Sequence, residues 1–595
     1  MFLVNAVLYW PLLGVRYLGY WGSNEGAFLA LGRLQLEGGY GPGDWWRFTN
    51  GGLPFVNTYQ PGLAKVTAWL AGWTGAHHAE VFHTLGALGL MLGPVAVFGM
   101  AWFCWRRVGA AVVSALLYSL VSPAALVFGM FRADAGPMWG VRRLQTLLVY
   151  GETPHVVALA LVPLGWWCFG AVLRGRSMGW AIGLVVVAAG VALINSYGLV
   201  ALVVGCALWL AWGSWRGRFV AGGCAVVAYR LVAGWGPGEL VRTVVENTRA
   251  MTSGHGVEWA VLAVAMVGVF GVSRKLDETL RWSLLLAVFF TGIVGFAAVW
   301  QVNLLFHAYR YQHEFDLAWA LVAGYVLTRL RVRGALLAVV GLGLLGWNTM
   351  AAWEAIREGK PEDAVVWQVA RVFQEQFSGH RVMASGSAAF WLNEFTDMEQ
   401  LSGGHDPMAI NPAQQVAVYT IYTGQNAGSR DAEVSELWLR AFNVGAIYVP
   451  GERTVDPWRP FVNPLKFAGR LPVVWERGDE RIYAVPGVKA GLAQAIPEGA
   501  VVTKPPLHGL DTEQVERFVV ALGTGKLAWA WEGRNKARVK GALARGQVVS
   551  VQVNHHPGWR AKANGQPVKV ERDGLGFLLL RPRCEECEIE LEFAN

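Results

Sequence analysis

Charge is scarce in this sequence. Asp, Glu, Lys and Arg make up 15% of its 595 residues, against about 25% in an ordinary soluble domain. Hydrophobic residues make up 54%, and the mean hydropathy is +0.35. Together these values exclude a soluble cytosolic enzyme, a disordered chain and a simple nucleic-acid binder. Lysine is almost missing from the first part: before Lys360 only Lys65 and Lys275 occur. Familiar catalytic motifs are missing too. There is no P-loop and no GxSxG, and the His pairs at 77–78 and 555–556 lack the H-E-x-x-H spacing. No internal repeat and no low-complexity segment is found.

Cysteine is sparse, with six residues. Cys104, Cys168, Cys206 and Cys224 fall in or beside apolar runs, where small apolar packing is their default role. Cys584 and Cys587 form a CxxC near the C-terminus. One such pair does not make a four-ligand zinc site, and no His–His partner lies near it. Its readings are a local disulfide in an oxidising compartment or a free pair; the strand-like flanks argue against a thioredoxin-like role.

What the sequence does have is long apolar runs. A bilayer-spanning helix needs about 20 such residues. Eleven runs qualify as candidates: 2–20, 79–103, 109–131, 155–173, 178–195, 198–213, 218–234, 258–273, 282–301, 315–328 and 334–353. Any one could be a buried soluble helix, but eleven in series could not. The first has no basic flank, which leaves a start upstream of Met1 open. Pro11, Arg16 and the lack of a small-residue cleavage site argue against a signal peptide.

Arginine then sets a topology. Arg106 and Arg107, Arg174 and Arg176, Arg216 and Arg218, the set Arg274, Lys275 and Arg281, and the set Arg329, Arg331 and Arg333 follow runs 2, 4, 6, 8 and 10. Basic short loops mark the cytoplasmic side. The long first loop (21–78), the loops at 132–154, 235–257 and 302–314, and the region after the last run are therefore expected outside. The net charge of +8 is largely a topology signal, and no nucleic-acid partner is expected.

This gives a polytopic helical membrane domain at 1–357 with about eleven spans. A soluble α/β domain is expected at 358–495, with a helix over 362–377 and strands at 381–384, 445–449 and 481–485. A β-sandwich is expected at 496–595, with strands at 548–553, 560–563, 568–571, 576–580 and 588–593.

The outer loops hold the candidate chemistry. Glu25 follows the first run within GlySerAsnGluGly, where a carboxylate can deprotonate an acceptor hydroxyl or hold a metal; otherwise it is a solvated loop residue. The loop continues to AsnGlyGlyLeuProPheValAsnThrTyrGlnProGly at 50–62, and 63–73 suits an interfacial helix. Asp134 and Arg132 share the second outer loop. Asp134 is a second carboxylate for acceptor or metal, or pairs with Arg132. Glu152 and His155 cap the start of the fourth run, where Glu152 also suits the helix N-terminus. Arg310, within HisAlaTyrArgTyrGlnHisGluPheAsp at 307–316, can clamp a phosphate or snorkel beside Tyr309 and Tyr311. His307 and His313 suit an interface. Among His555, His556 and Trp559, aromatic faces suit sugar, although a turn between strands explains them equally.

Several of these features together resemble a family. A short first helix is followed by an acidic residue, then by a long outer loop with Gly52, Pro54, Tyr59 and Pro61 in a G-x-P…Y-x-P pattern. LeuTyrSerLeuValSerPro closes 64–123, and TyrGlyGluThrProHis at 150–155 precedes ValProLeu. The stretch 554–568 is similar to a PGW-x-A-x-x-DG signature, with Asn564 in place of the Asp. These features are similar to those of the glycosyltransferase C (GT-C) superfamily, including bacterial multi-spanning relatives labelled "6-pyruvoyl-tetrahydropterin synthase-related"; no zinc-spaced histidine trio supports pterin chemistry.

The resemblance implies a membrane glycosyltransferase that moves a sugar from a polyprenyl-phosphate donor to an extracytoplasmic acceptor with inversion. Glu25 would be the base, Asp134 a second catalytic carboxylate, and Arg310 the donor-phosphate clamp. Tyr59, Glu152, His155 and His313 would line the substrate site. It implies membrane lipids as surroundings, an unidentified glycan, lipid or protein acceptor, a divalent Mg or Mn ion on Glu25 and Asp134 if any metal is used, and a bacterial inner membrane with a periplasmic C-terminal domain. Two rival readings remain. One is a transporter or flippase of a lipid-linked precursor, for which Arg230 is the clearest charge within a run. The other is a non-catalytic GT-C-like protein of envelope assembly.

Overall fold

The computed structural model describes residues 1–330, 334–523 and 527–594. Arg331 and Arg333, read above as loop anchors, lie outside the described residues. The apolar runs coincide with helices, two of them with changed extents. Run 2–20 is helical only from Phe2 to Leu12, because Pro11 stiffens its end and Gly14 turns left-handed at φ 76. Run 109–131 is broken into Val108–Leu120, Pro123–Val127 and Gly129–Ala135. Pro123 starts a new helix there, and the Ser122 hydroxyl accepts from Ala125 N.

Among the described residues, five helices are long and apolar enough to cross a membrane: His78–Trp105, Thr153–Leu173, Gly256–Lys275, Glu278–Trp300 and Gly334–Ala355. Shorter apolar helices include Val108–Leu120, Met178–Ile194 and Ser196–Trp212. The chain is therefore helical and multi-pass at its N-terminal side and β-rich at its C-terminal side. The stretch 63–73 forms the helix Gly62–Thr74.

The chain forms two compact units. The first comprises Met1–Tyr20, Gln60–Val241 and Val245–Gly359. Its helices approach closely through small residues, as apolar surroundings favour. A Cβ on Gly205 would lie 2.1 Å from Trp166 Nε1, and one on Gly324 2.0 Å from Ser114 Oγ. Trp166 fills the space that Gly205 leaves, while Trp282 donates to the Gly205 carbonyl at 2.8 Å and stacks on Trp209 at 4.6 Å.

The second unit comprises Trp21–Tyr59, Arg242–Val244 and Lys360–Asn595. Its first sheet runs Arg381–Met383, Val444–Val449, Glu480–Ala484, Val473–Arg477. The first pair is parallel and the others antiparallel. Two further sheets follow. One orders Val570–Arg572, Phe577–Leu580, Gln547–Asn554 and Ala493–Pro497. The other orders Gln566–Val568, Trp559–Ala563, Glu586–Phe593, Lys536–Ala542 and Leu527–Trp531. Strand Ala493–Pro497 straddles the expected 495/496 boundary and pairs with Gln547–Asn554. Val549, Val551 and Leu578 of one sheet share a buried cluster with Val539, Trp559 and Ile589 of the other.

Most of the long first loop is built into this second unit. Trp45 packs on Trp559 at 5.1 Å and Phe593 at 5.0 Å. Asn554 Nδ2 donates to the carbonyls of Asn50 at 2.7 Å and Gly52 at 2.8 Å. The departure at Asn564 has a conformational reason. Asn564 at φ 48 and Gly565 at φ 80 make the left-handed pair of a tight hairpin between Trp559–Ala563 and Gln566–Val568, a turn that Asn-Gly favours.

Candidate functional site

Four of the singled-out residues come together in the first unit. Arg310 sits in the short helix Ala308–Tyr311. His307 before it takes a left-handed φ of 49 and accepts from Arg310 N at 2.8 Å, so the chain doubles back and presents the guanidinium. Arg310 Nη1 pairs with the carboxylate of Glu152 at the start of helix Thr153–Leu173. The same guanidinium lies 5.7 Å over the ring of Tyr197. His155, one turn past Glu152, stacks on Tyr197 at 5.3 Å and meets the His313 ring at 5.6 Å. His155 Nε2 lies 2.8 Å from Glu314 Oε1, and His313 Nε2 lies 3.0 Å from Thr146 Oγ1.

A second branch holds Asp134. Its expected partner was Arg132, but Arg142 Nη2 pairs with Asp134 Oδ2, and the Tyr150 hydroxyl donates to Oδ1 at 2.5 Å. Arg142 is buried and also donates to Gln312 at 3.0 Å and Gln145 at 2.6 Å. Arg143 next to it donates to the Tyr118 carbonyl at 2.8 Å, with its guanidinium 3.8 Å over the Tyr118 ring. The helix Arg142–Tyr150 and the segment 310–316 thus link Asp134 to the cluster around Arg310. Burial, then the Asp134 carboxylate, pushes the Tyr150 hydroxyl up to about 12. Burial, then the Arg310 cation, pushes the His307 imidazole down to about 4, so this imidazole is uncharged at neutral pH.

Glu25 and Tyr59 belong to the second unit. Glu25 is not a solvated loop residue. It is fully buried and is the first residue of helix Glu25–Gly38, where the helix dipole favours a negative charge. Ser23 Oγ accepts from Glu25 N at 3.3 Å. Gly26 lets the helix approach helix Ala388–Phe395: a Cβ there would lie 2.5 Å from Trp391 Cδ2. Phe28, one turn on, meets the Tyr59 ring at 4.6 Å, and Tyr59 faces His405 at 5.8 Å. A cavity of about 50 Å³ lies beside Tyr59, lined by Phe28, Trp46, Asn50, Phe390 and His405 among others, room for a few waters.

Sequence reasoning passed over Arg142, Arg143, Tyr197, Gln312, Glu314 and Asp316. Glu314 and Asp316 did carry a signal, as ionisable residues at the mouth of an apolar run. Asp316 accepts from Ser122 Oγ at 2.6 Å and Ala124 N at 2.7 Å, capping Pro123–Val127. Arg142 and Arg143 stand in a loop assigned outside, where arginine is unexpected; their carboxylate, carbonyl and aromatic partners account for them. Among the described residues no group of three His, Cys, Asp or Glu is placed to hold a metal ion. Cys584 and Cys587 are disulfide-bonded.

The chain that carries this buried arginine–carboxylate network shares its overall fold with a solved glycosyltransferase structure. The chain is similar to the arabinofuranosyltransferase AftD from Mycobacteria, at 12% identity and a TM-score of 0.51, over 100% of this chain and 57% of that one. It thus spans under three-fifths of that protein's length. It is also similar to ArnT from Cupriavidus metallidurans (15% identity, TM-score 0.46, 80% of this chain and 96% of that one). A third similar structure is the Archaeoglobus fulgidus oligosaccharyltransferase (11% identity, TM-score 0.44, 75% and 68%). No protein-family model matches the sequence, and no curated protein matches it.

Proposed function

We propose that this protein is a membrane glycosyltransferase that moves a sugar from a polyprenyl-phosphate donor to an extracytoplasmic acceptor with inversion. The observation that carries the reading is the cluster around Arg310 within a GT-C fold. An arginine fork sits in a partly buried aromatic setting, where it can bind phosphate bidentately. An apolar cavity of about 980 Å³ in the same unit, lined by Leu184, Leu202, Cys206, Ala225, Tyr229 and Val241 among others, has the chemistry to take a prenyl chain.

In this reading Glu25 is the general base that takes the acceptor hydroxyl proton as the acceptor oxygen attacks the anomeric carbon. The bond to the phosphate oxygen breaks on the opposite face, and polyprenyl phosphate leaves on Arg310. His155 and His313 line the surroundings of Arg310, and Tyr59 belongs to the unit that carries Glu25. Asp134 is the second carboxylate, held by Arg142 and Tyr150, and no step is routed through a metal ion. The eleven helical runs are spans, with the basic loops cytoplasmic. The C-terminal sheets form an α/β domain and a β-sandwich on the periplasmic side of a bacterial inner membrane. The acceptor is a glycan, lipid or protein.

The test is turnover of a panel of polyprenyl-phosphate sugars by the purified full chain, read as release of polyprenyl phosphate. Release that disappears in Arg310→Gln with the protein still folded supports the reading. Transport of a lipid-linked precursor without glycosidic bond cleavage would favour the flippase alternative.

A further inference from the structure

Arg310 is not a lone cation. Glu152 holds one of its nitrogens, and the geometry around the pair is unequal: the Arg310 side chain is 23% exposed, but Glu152 only 4%. A ligand therefore reaches the guanidinium from its open side, with the carboxylate fixed behind it. Two further neighbours of the guanidinium add no charge. Tyr197 presents a ring face, and the nearby imidazole of His307 is neutral. The pair as a whole has a net charge of zero.

This matters because the two phosphates such a site would meet differ in charge. A polyprenyl-phosphate sugar is a phosphodiester with one negative charge. The polyprenyl phosphate left after transfer is a monoester, close to two charges above about pH 7. A bare arginine favours the dianion and would hold the product. A carboxylate one guanidinium away repels each ligand in proportion to its charge. From this geometry we infer that Glu152 is a specificity-determining counter-charge, which cancels the preference of Arg310 for the dianionic monoester and so lets the diester donor compete with the spent carrier. The inference rests on the reading of Arg310 as the phosphate clamp.

The experiment uses the full chain in detergent at about pH 8, where the monoester is dianionic. The probes are citronellyl phosphate, a monoester, and methyl citronellyl phosphate, a diester, titrated by calorimetry. The wild-type protein binds the two within about threefold of each other. Removing one like charge at water-like screening is worth about threefold per ligand charge. Glu152→Gln, which keeps a hydrogen-bond acceptor, therefore binds the diester about threefold and the monoester about tenfold more tightly. Glu152→Asp keeps the charge and behaves as wild type. If Glu152→Gln tightens both probes equally, or weakens them, while Arg310→Gln abolishes binding, the counter-charge role is overturned and the clamp stands. If Arg310→Gln binds both probes as wild type does, the clamp itself fails. Should Glu152→Gln not fold, the wild-type ratio decides: a strong preference for the monoester contradicts the inference.

Discussion

His155 Nε2 lies 2.8 Å from Glu314 Oε1, with both side chains buried. The two residues are 159 positions apart in sequence and tie the start of one apolar helix to the start of another. Removing one member of a buried hydrogen-bonded pair costs roughly 1–3 kcal/mol, because the other is left unsatisfied, whereas replacing both with apolar side chains costs much less. His155→Phe and Glu314→Leu singly are expected to lower the thermal unfolding temperature more than the double variant does. Strictly additive losses would show that the pair is not coupled.

Gly26 is where the helix bearing Glu25 meets Trp391. A Cβ there would lie 2.5 Å from Trp391 Cδ2 and 2.6 Å from its backbone Cα, and backbone cannot swing aside. Gly26→Val is expected to cost about 1–3 kcal/mol through overpacking and to lower turnover by displacing Glu25. Unfolding and donor turnover measured on the same preparation check this; an unchanged variant would mean that the contact is not formed.

Asp573 gives the C-terminal region a pH dependence. Burial, opposed by backbone N–H donors such as Phe577 N at 2.8 Å, raises its carboxyl from 3.8 to about 6. A raised carboxyl means the folded state keeps a proton that the unfolded state releases. Its contribution is therefore full below about pH 4 and is lost as pH rises through about 6, by about 2–3 kcal/mol. Asp573→Asn should flatten stability over that window. An equally steep profile in the variant would place the titration elsewhere.

The cysteines divide cleanly. Cys584 and Cys587 are bonded, while Cys104, Cys168, Cys206 and Cys224 are free. Alkylation of the denatured, unreduced chain should label four cysteines by mass spectrometry, and all six after reduction. Six labelled without reductant would contradict an oxidising location for this region.

Long-period features were legible in the sequence and pairings across the chain were not. The apolar runs announced their helices because composition alone decides them, and the strands 548–553 and 588–593 showed their alternation. The strand Lys536–Ala542 escaped because Lys536 and Lys540 on its exposed face blur the apolar period, and Leu527–Trp531 because Leu, Ala and Trp alone give it no polar alternation. Arg310 could be picked out as a cation at a helix mouth, but its partner Glu152 lies 158 residues away. Glu25 was legible as a carboxylate after the first helix, yet its burial depends on Gly26 meeting Trp391 more than 360 positions later. Local pattern carries no record of such contacts.

The central claim is that Glu25 is the base of a glycosyl transfer from a polyprenyl-phosphate donor. The direct measurement is the release of polyprenyl phosphate by Glu25→Gln, purified from membranes in the wild-type yield and with the wild-type unfolding profile. The account predicts a fall of about 10²-fold or more, the range expected for loss of a general base, with binding of the donor retained. Turnover at the wild-type rate in that variant would contradict it.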